Sequence, residues 1–414
     1  MSGVETRSGE RRDLASPAAV VVAVGGLYVG QSVIGGMTFM ALPSVLREQG
    51  LPLDHIGLTY LAVLPWVLKF LWAPAVERYR SPPTGYSRSR SIVLVGGLLS
   101  ALGLAATGLA GLGNLVVLIG IFVLIAFAAA TVDIACDGHA VEALSERHHG
   151  WGNAAQVGGA YLGAAIGSGL FLVLVERSGW RSASLAMAAL LLVLALPFLM
   201  AAPAVSAGSS TRAPSLKEAL GRRDMRAGLL LAAVFVTTQK WGVSMLGPFL
   251  VDAGLDLGSL GLVNGLGGLA VGFGCALLGG ALVRLWGARR VMVLALVLQA
   301  LALAGLAFAA LRGLPQSWLV ACALASSSGI MALGFVALYA RFMALADPRQ
   351  AGVDFTLLQC MDALVSMAGG VGAGWIAQRW GYGTCFALAA GLAVVAVPAV
   401  AVLSRPAAAV RPVP

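Results

Sequence analysis

The sequence predicts an all-α polytopic membrane protein with twelve transmembrane helices in two six-helix bundles, and three observations carry that expectation. The residue types AVILMFWYC fill 59% of the 414 positions, 54 further positions are glycine, and mean hydropathy is +0.89. Charged residues are 11% of the chain, against about 25% in a soluble domain. The apolar residues are gathered into runs long enough to cross the hydrocarbon core, which takes about 20 residues of helix. A soluble enzyme, a disordered chain and a secreted disulfide scaffold are excluded.

The first run, 17–41, begins at Pro17 and is too long for a signal-peptide core. The second, 56–76, carries Pro65 and Pro74, which bend a helix or free its carbonyls. The third is 91–111. The fourth, 115–138, holds Asp133 and Asp137. The fifth, 153–174, is rich in glycine (Gly158, Gly159, Gly163, Gly167, Gly169), and small residues three or four apart let helix backbones approach closely. The sixth is 182–202. After the longest gap come 228–250, 259–283, 291–311, 317–340, 353–377 (with Gly369, Gly370, Gly372 and Gly374) and 383–403. The alternating runs of about ten residues that mark a membrane β-barrel are absent. The expected division is a cytoplasmic tail at 1–16, a six-helix bundle at 17–202, a cytoplasmic central loop at 203–227, a second bundle at 228–403 and a cytoplasmic tail at 404–414.

The 27 lysines and arginines test this count. Twenty fall in gaps on one side of the expected membrane, and five on the other: Arg47, Arg177, Arg181, Arg312 and Arg379. Lys69 and Lys240 lie within runs. The bias places both termini in the cytoplasm. It also explains the formal charge of +9 without nucleic acid, because only Lys69, Lys217 and Lys240 are lysine and no basic run is interleaved with aromatics. The lipid bilayer is the expected partner.

The cysteines at 136, 275, 322, 360 and 385 sit in apolar runs without CxxC spacing, so they read as inert thiols, with no metal site and no disulfide. No GxxxxGK[ST] loop is present, which leaves an ion gradient or a partner as the energy source. No cofactor and no enzymatic activity are expected. A membrane-embedded enzyme, the alternative of another class, would want a catalytic constellation, and the four histidines supply none. His148 and His149 read as a loop pair and His139 as a surface residue. The halves echo each other at an offset of 202 (Gly150 with Gly352, Gly167 with Gly369, Arg177 with Arg379, Gly179 with Gly381, Trp180 facing Tyr382), which suits two parallel six-helix repeats.

An ionisable group at the centre of a membrane helix costs about 2.5–3.5 kcal/mol on insertion scales. Lys69 is about 10 Å deep in its run and Asp133 about 7–8 Å, at 1.5 Å per residue, so the two can pair. Asp137 shares the face of Asp133, and Glu142 follows near the membrane surface. This group reads either as a proton-coupling site or as a structural ion pair closing the inner end. Lys240 is near the midplane, flanked by Gln239 and Trp241. It suits an anionic or aromatic ligand, or a salt bridge to Asp362. Gln31, at similar depth, bonds the same ligand or a neighbouring helix. Asn153, Gln156, Tyr161 and Asn264 line a cavity or hold helices together. Arg341 and Asp354 read as gate or surface residues.

Residues 69–78, Lys-Phe-Leu-Trp-Ala-Pro-Ala-Val-Glu-Arg, followed by a basic loop, resemble the second-to-third helix signature of the major facilitator superfamily, and more specifically its muropeptide-permease-like branch. Residues 131–142, Thr-Val-Asp-Ile-Ala-Cys-Asp-Gly-His-Ala-Val-Glu, resemble the fourth-helix motif of that branch, as does Gly-Asn-Ala-Ala-Gln at 152–156. Val132 and His139 depart from its Gln and Tyr, and Arg284 stands where an acidic residue is usual. The compact chain is similar to the siderophore permeases of the branch, such as the pyochelin and rhizobactin inner-membrane importers. That resemblance implies proton-coupled symport of a ferric siderophore into a bacterium across its inner membrane, by alternating access, in a monomer without an obligate protein partner. It makes Asp133 or Asp137 the coupling carboxylate, with Lys69 tuning it, and makes Glu77 and Arg78 cytoplasmic gate residues. A muropeptide permease and a drug or metabolite exporter are the alternatives within transport.

Overall fold

The computed structural model describes residues 17–80, 82, 86–143, 149–201, 216–313, 315–345 and 351–404. Among them the chain forms helices and turns, with no β-strand. Nine helices and one bent pair are long and apolar enough to cross a membrane. They are α1 (Ala18–Glu48), α2 (Leu53–Leu71, continued by Ala73–Arg80), α3 (Ser89–Ala110), α4 (Leu115–Ala140), α5 (Gly158–Met200), α6 (Arg223–Asp252), α7 (Leu257–Trp286), α8 (Ala288–Arg312), α9 (Gln316–Leu345) and α10 (Asp354–Leu403).

The breaks in three of these helices have a legible reason in the sequence. The two pieces of α2 meet at 61° around Trp72. Pro74 opens the second piece, and the residues before a proline are driven out of regular helix. α5 and α10 run for 43 and 50 residues, more than one crossing needs. Each is divided into two arms by a glycine in an extended positive-φ conformation: Gly179 at φ +78°, ψ 164° and Gly381 at φ +78°, ψ 166°. Only glycine enters that region freely. The two breaks therefore match in geometry as well as in the sequence echo.

The second part of the expected central loop 203–227 is helical. A helix occupies Leu216–Gly221, and α6 starts at Arg223, with Asp224 in its first turn. An acidic residue is favourable there, opposite the positive end of the helix dipole, and a hydropathy count does not see it. Residues 202–215 and the tails 1–16 and 405–414 lie outside the described residues. α7 is capped by Asp256, whose Oδ1 accepts from the Ser259 N–H at 2.7 Å; that bond holds the carboxyl below the usual range.

The first half packs through glycine. Along α1, Tyr28, Val29 and Val33 lie on Gly159, Gly163 and Gly167 of α5. A Cβ on Gly163 would come within 2.3 Å of the Val29 carbonyl oxygen, and one on Gly167 within 2.2 Å of that of Val33. α3 packs on α4 and α5; in the second half α6 and α8 pack on α10, and α7 on α9. The halves meet where α2 lies on α10 and α5 on α7. One seam sets Gly57 against Gly374, the other Gly169 against Gly261 and Gly265.

The two ends of the molecule differ. One carries Arg78, Arg80, Arg88, Arg90, Arg222, Arg223, Arg226, Arg289 and Arg290, and is called the basic end. At the opposite end a single apolar core runs through both halves, joining Val45, Leu46, Ile56 and Phe171 to Leu246, Phe249, Leu257 and Phe386. At the basic end the cores are separate. One holds Val20, Val24, Val132 and Phe198 of the first half; the other holds Met225, Phe235, Met292 and Phe342 of the second. The outer surface is apolar, with Val116, Leu124, Leu311 and Val395 all more than two-thirds exposed. A continuous apolar surface of this kind is stable against lipid rather than water.

Candidate functional site

A cavity of about 470 Å³ lies between the halves, toward the opposite end. Phe39 and Met40 of α1, Tyr60 of α2, Lys240 and Ser244 of α6 and Asn264 of α7 are among its walls. Three π-helical turns face it, Met37–Ala41, Val263–Gly267 and Ala325–Ile330. Such turns widen a helix and recur at functional sites.

Two buried charge clusters flank the mid-depth of the molecule. In the first half, Lys69 Nζ stands 3.1 Å from Asp133 Oδ2. It also donates to Gln359 Oε1 of α10 at 3.3 Å, so this lysine ties the two halves together. Asp137, one helical turn beyond Asp133, faces α1, where the Tyr28 hydroxyl donates to its Oδ1 at 2.7 Å. The bend in α2 carries the chain onto α4, where Trp72 Nε1 donates to Thr131 Oγ1 at 3.2 Å. The Arg80 guanidinium lies on Gly138, where a Cβ would come within 2.6 Å of it.

In the second half, Lys240 Nζ donates to Asp362 Oδ1 at 2.6 Å and sits 5.0 Å from the centroid of the Phe335 ring. The Tyr339 hydroxyl donates to Asp362 Oδ2 at 3.3 Å. Ser366 Oγ lies 3.2 Å from Asp362 Oδ1. Beyond the cavity, at the opposite end, Arg47 Nε of α1 meets Asp252 Oδ1 of α6 at 2.7 Å, and the Tyr382 hydroxyl donates to Asp252 Oδ2 at 2.7 Å.

The structure spreads the sequence candidates over four places. Lys240 alone among the ligand candidates lines the large cavity. Gln31 lines a separate cavity of about 40 Å³ within the first half, and its Nε2 is buried without a partner among the described residues. Gln239 is fully buried, its backbone carbonyl near Gln299 Nε2. Trp241 packs on Gly369 and Gly372 of α10. Tyr161 lies in the α5–α7 seam, against Gly272 and edge-on to Phe273. Gln156 is half-buried in the helical turn that leads into α5. The side chains of Glu142 and Asn153 lie outside the described residues, as does His148. Glu77 pairs with Arg80, three residues on, while Arg78 is exposed. His139 is buried against Phe198 rather than at the surface, because α4 continues past Asp137. Asp354 is fully buried and pairs with Arg222.

Sequence reasoning missed Arg80, Tyr28, Gln359, Tyr339 and the Arg47–Asp252–Tyr382 cluster. The signal for Arg47 was present: it is one of the five basic residues in the gaps that carry few, and it follows a long apolar run. For Tyr339 and Gln359 no local pattern exists, since their partners are 23 and 290 residues away.

Comparison with known proteins adds the family. An anhydromuropeptide permease of Escherichia coli strain K12 is 27% identical over 367 residues, covering 86% of this chain and 74% of that protein. An uncharacterized protein of Haemophilus influenzae is 25% identical over 360 residues, covering 82% and 84%. The crystal structure of the nucleoside transporter NupG, 13% identical, superposes with a TM-score of 0.70 over 93% of this chain and 100% of that one, a likeness of fold. The sequence profile of the Major Facilitator Superfamily matches residues 24–357 and again 229–414. With that match and this fold, the chain belongs to the Major Facilitator Superfamily of membrane transporters.

Proposed function

We propose that this protein is a secondary active permease that takes a muropeptide-class solute across the bacterial inner membrane. The observation that carries the substrate class is the 27% identity to the anhydromuropeptide permease along most of both chains. Counting each arm of α5 and α10 as a crossing, and the bent α2 as one, gives twelve crossings in two bundles. Both termini then lie on the basic side, which the charge bias makes cytoplasmic. On that assignment the shared core closes the outer side and the separate cores face inward, the inward-facing member of an alternating-access pair. Lys69, Asp133 and Asp137 form the proton-coupling group, and Lys240 contacts the solute. Ferric-siderophore import, the expectation drawn from the compact chain, is the reading this one displaces.

The test is uptake of radiolabelled N-acetyl-anhydromuramoyl tripeptide into proteoliposomes holding the purified full-length chain, with the outside acidified. Accumulation that a protonophore collapses supports the reading. Transport of ferric pyochelin with no transport of the muropeptide overturns it in favour of the siderophore.

The Arg47–Asp252–Tyr382 cluster acts as the outer latch of this cycle. Its side chains are 25% and 30% exposed at the ion pair, so Asp252→Asn lowers stability by less than about 1 kcal/mol. Its larger expected effect is on access. A cysteine placed at Ser44, on a background without the native cysteines, reacts faster from the outer side in Asp252→Asn than in its parent. Equal rates remove the latch assignment.

A further inference from the structure

We propose that Lys240 is a carboxylate-receiving subsite of the cavity, an inference that rests on reading this cavity as the solute path. An ammonium carries three N–H donors. Among the described residues only Asp362 accepts from Lys240 Nζ, at 2.6 Å. The Phe335 ring face supports the cation from one side at 5.0 Å without consuming a donor. The lysine side chain is 31% exposed, and it opens on the cavity. Two donors thus have no acceptor among the described residues, on a residue that lines the cavity, and two donors are what the two oxygens of a carboxylate need.

Asp362 is held differently. Its side chain is only 11% exposed, and beside the lysine it accepts from the Tyr339 hydroxyl at 3.3 Å, while Ser366 Oγ, which donates to the Asp362 backbone carbonyl at 2.7 Å, lies 3.2 Å from its Oδ1. The anion is therefore held in the protein by burial and by Tyr339, neither of which depends on Lys240, whereas the cation has one ionic partner and is more exposed. A solute carboxylate joins Lys240 on its free donors, and Asp362 stays with Tyr339. The remaining walls near the subsite include Phe39, Met40, Tyr60 and Asn264, mostly apolar with scattered hydroxyl and amide groups. The solute class that fits is an amphipathic acid of peptide or amino-sugar type, entered with its carboxylate toward the second half.

The experiment reads anion selectivity at the subsite without relying on any particular substrate. Ser244 lines the cavity one turn from Lys240. Ser244→Cys is made in the full chain with the native cysteines replaced, and is reacted with two methanethiosulfonates, one ending in a carboxylate and the other in the corresponding carboxamide. The acid-to-amide rate ratio is expected to fall about tenfold in Lys240→Met, the scale of a charge-assisted hydrogen bond. Lys240→Arg retains the ratio. Asp362→Asn raises it, because the competing anion is gone. Lys240→Met leaves Asp362 without its cation and is at risk of misfolding, so Lys240→Met/Asp362→Asn is measured alongside it and is expected to lose the ratio equally. An unchanged ratio in the folded double variant overturns the subsite, and it does so even if muropeptide uptake is intact. Loss of the ratio in a protein that moves no muropeptide keeps the subsite and discards the muropeptide reading instead.

Discussion

Lys69→Met is expected to lower stability by about 3–5 kcal/mol, because it strands the Asp133 carboxylate in the interior without its cation. The lysine side chain is 8% exposed and the aspartate 16%, so water compensates little. Lys69→Met also breaks the bond to Gln359, one of the polar ties from α2 to α10. Asp133→Leu should cost a similar amount for the converse reason. The double variant Lys69→Met/Asp133→Leu removes both charges together and should recover most of the loss, since a buried ion pair replaced by apolar groups of similar size is often neutral or stabilising. Thermal unfolding in detergent reads this cycle. Transport separates the two meanings of the pair. A structural pair predicts that the stable double variant transports at the parent rate. A coupling pair predicts a folded protein without proton-driven accumulation, though it still exchanges solute down a gradient. The second outcome is expected, because Asp133 sits beside a second carboxylate one turn away, Asp137, which a purely structural pair has no need of.

Most of the architecture was legible in the sequence, because lipid makes the signal one-dimensional. Every backbone group inside a bilayer must be satisfied within its own helix, so a run of apolar residues of sufficient length fixes a crossing. What composition could not place was where a helix begins on polar residues. Arg223 and Asp224 extend α6 beyond its apolar run, and the charged stretch after Trp72 extends α2 to Arg80. The echo between Gly179 and Gly381 was four identities among many columns, yet the two glycines share one backbone conformation. A glycine required at positive φ leaves its trace in sequence even where the surrounding side chains have diverged.

The candidate site was half legible for a related reason. A charge inside an apolar run stands out whatever its partner, so Lys69, Asp133, Lys240 and Asp362 were visible one by one. Which of them face the cavity was not, because that depends on helix rotation. The fourth run has almost no amphipathic asymmetry to set its rotation, being apolar on all sides apart from Asp133 and Asp137. Gln239 illustrates the limit. It is adjacent to Lys240 in sequence, but the 100° step between neighbours on a helix turns it into the core of the second half while the lysine reaches the cavity.

Two glycine substitutions with similar local clashes should have opposite consequences. A Cβ on Gly167 would lie 2.2 Å from the Val33 carbonyl oxygen and 2.8 Å from its carbon. These atoms are backbone, α1 and α5 belong to the same half, and there is no side chain to move aside. Gly167→Leu is therefore expected to abolish the folded peak in size-exclusion chromatography of the detergent-solubilised protein. A Cβ on Gly374 would lie 2.5 Å from the Leu53 carbonyl oxygen and 2.9 Å from the Gly57 Cα, also backbone. Here the contact joins α2 of one half to α10 of the other, at the end where the two share a core. Each half keeps its own packing when that seam is forced apart. Gly374→Leu should accordingly fold, lose transport, and expose a cysteine at Ser44 to reagents from the opposite end at least about tenfold more, a shift that needs about 1.4 kcal/mol between access states. If Gly374→Leu instead fails to fold as completely as Gly167→Leu, the halves do not behave as separate rigid bodies, and a rocking motion about the cavity is the wrong description of how this chain would move its solute.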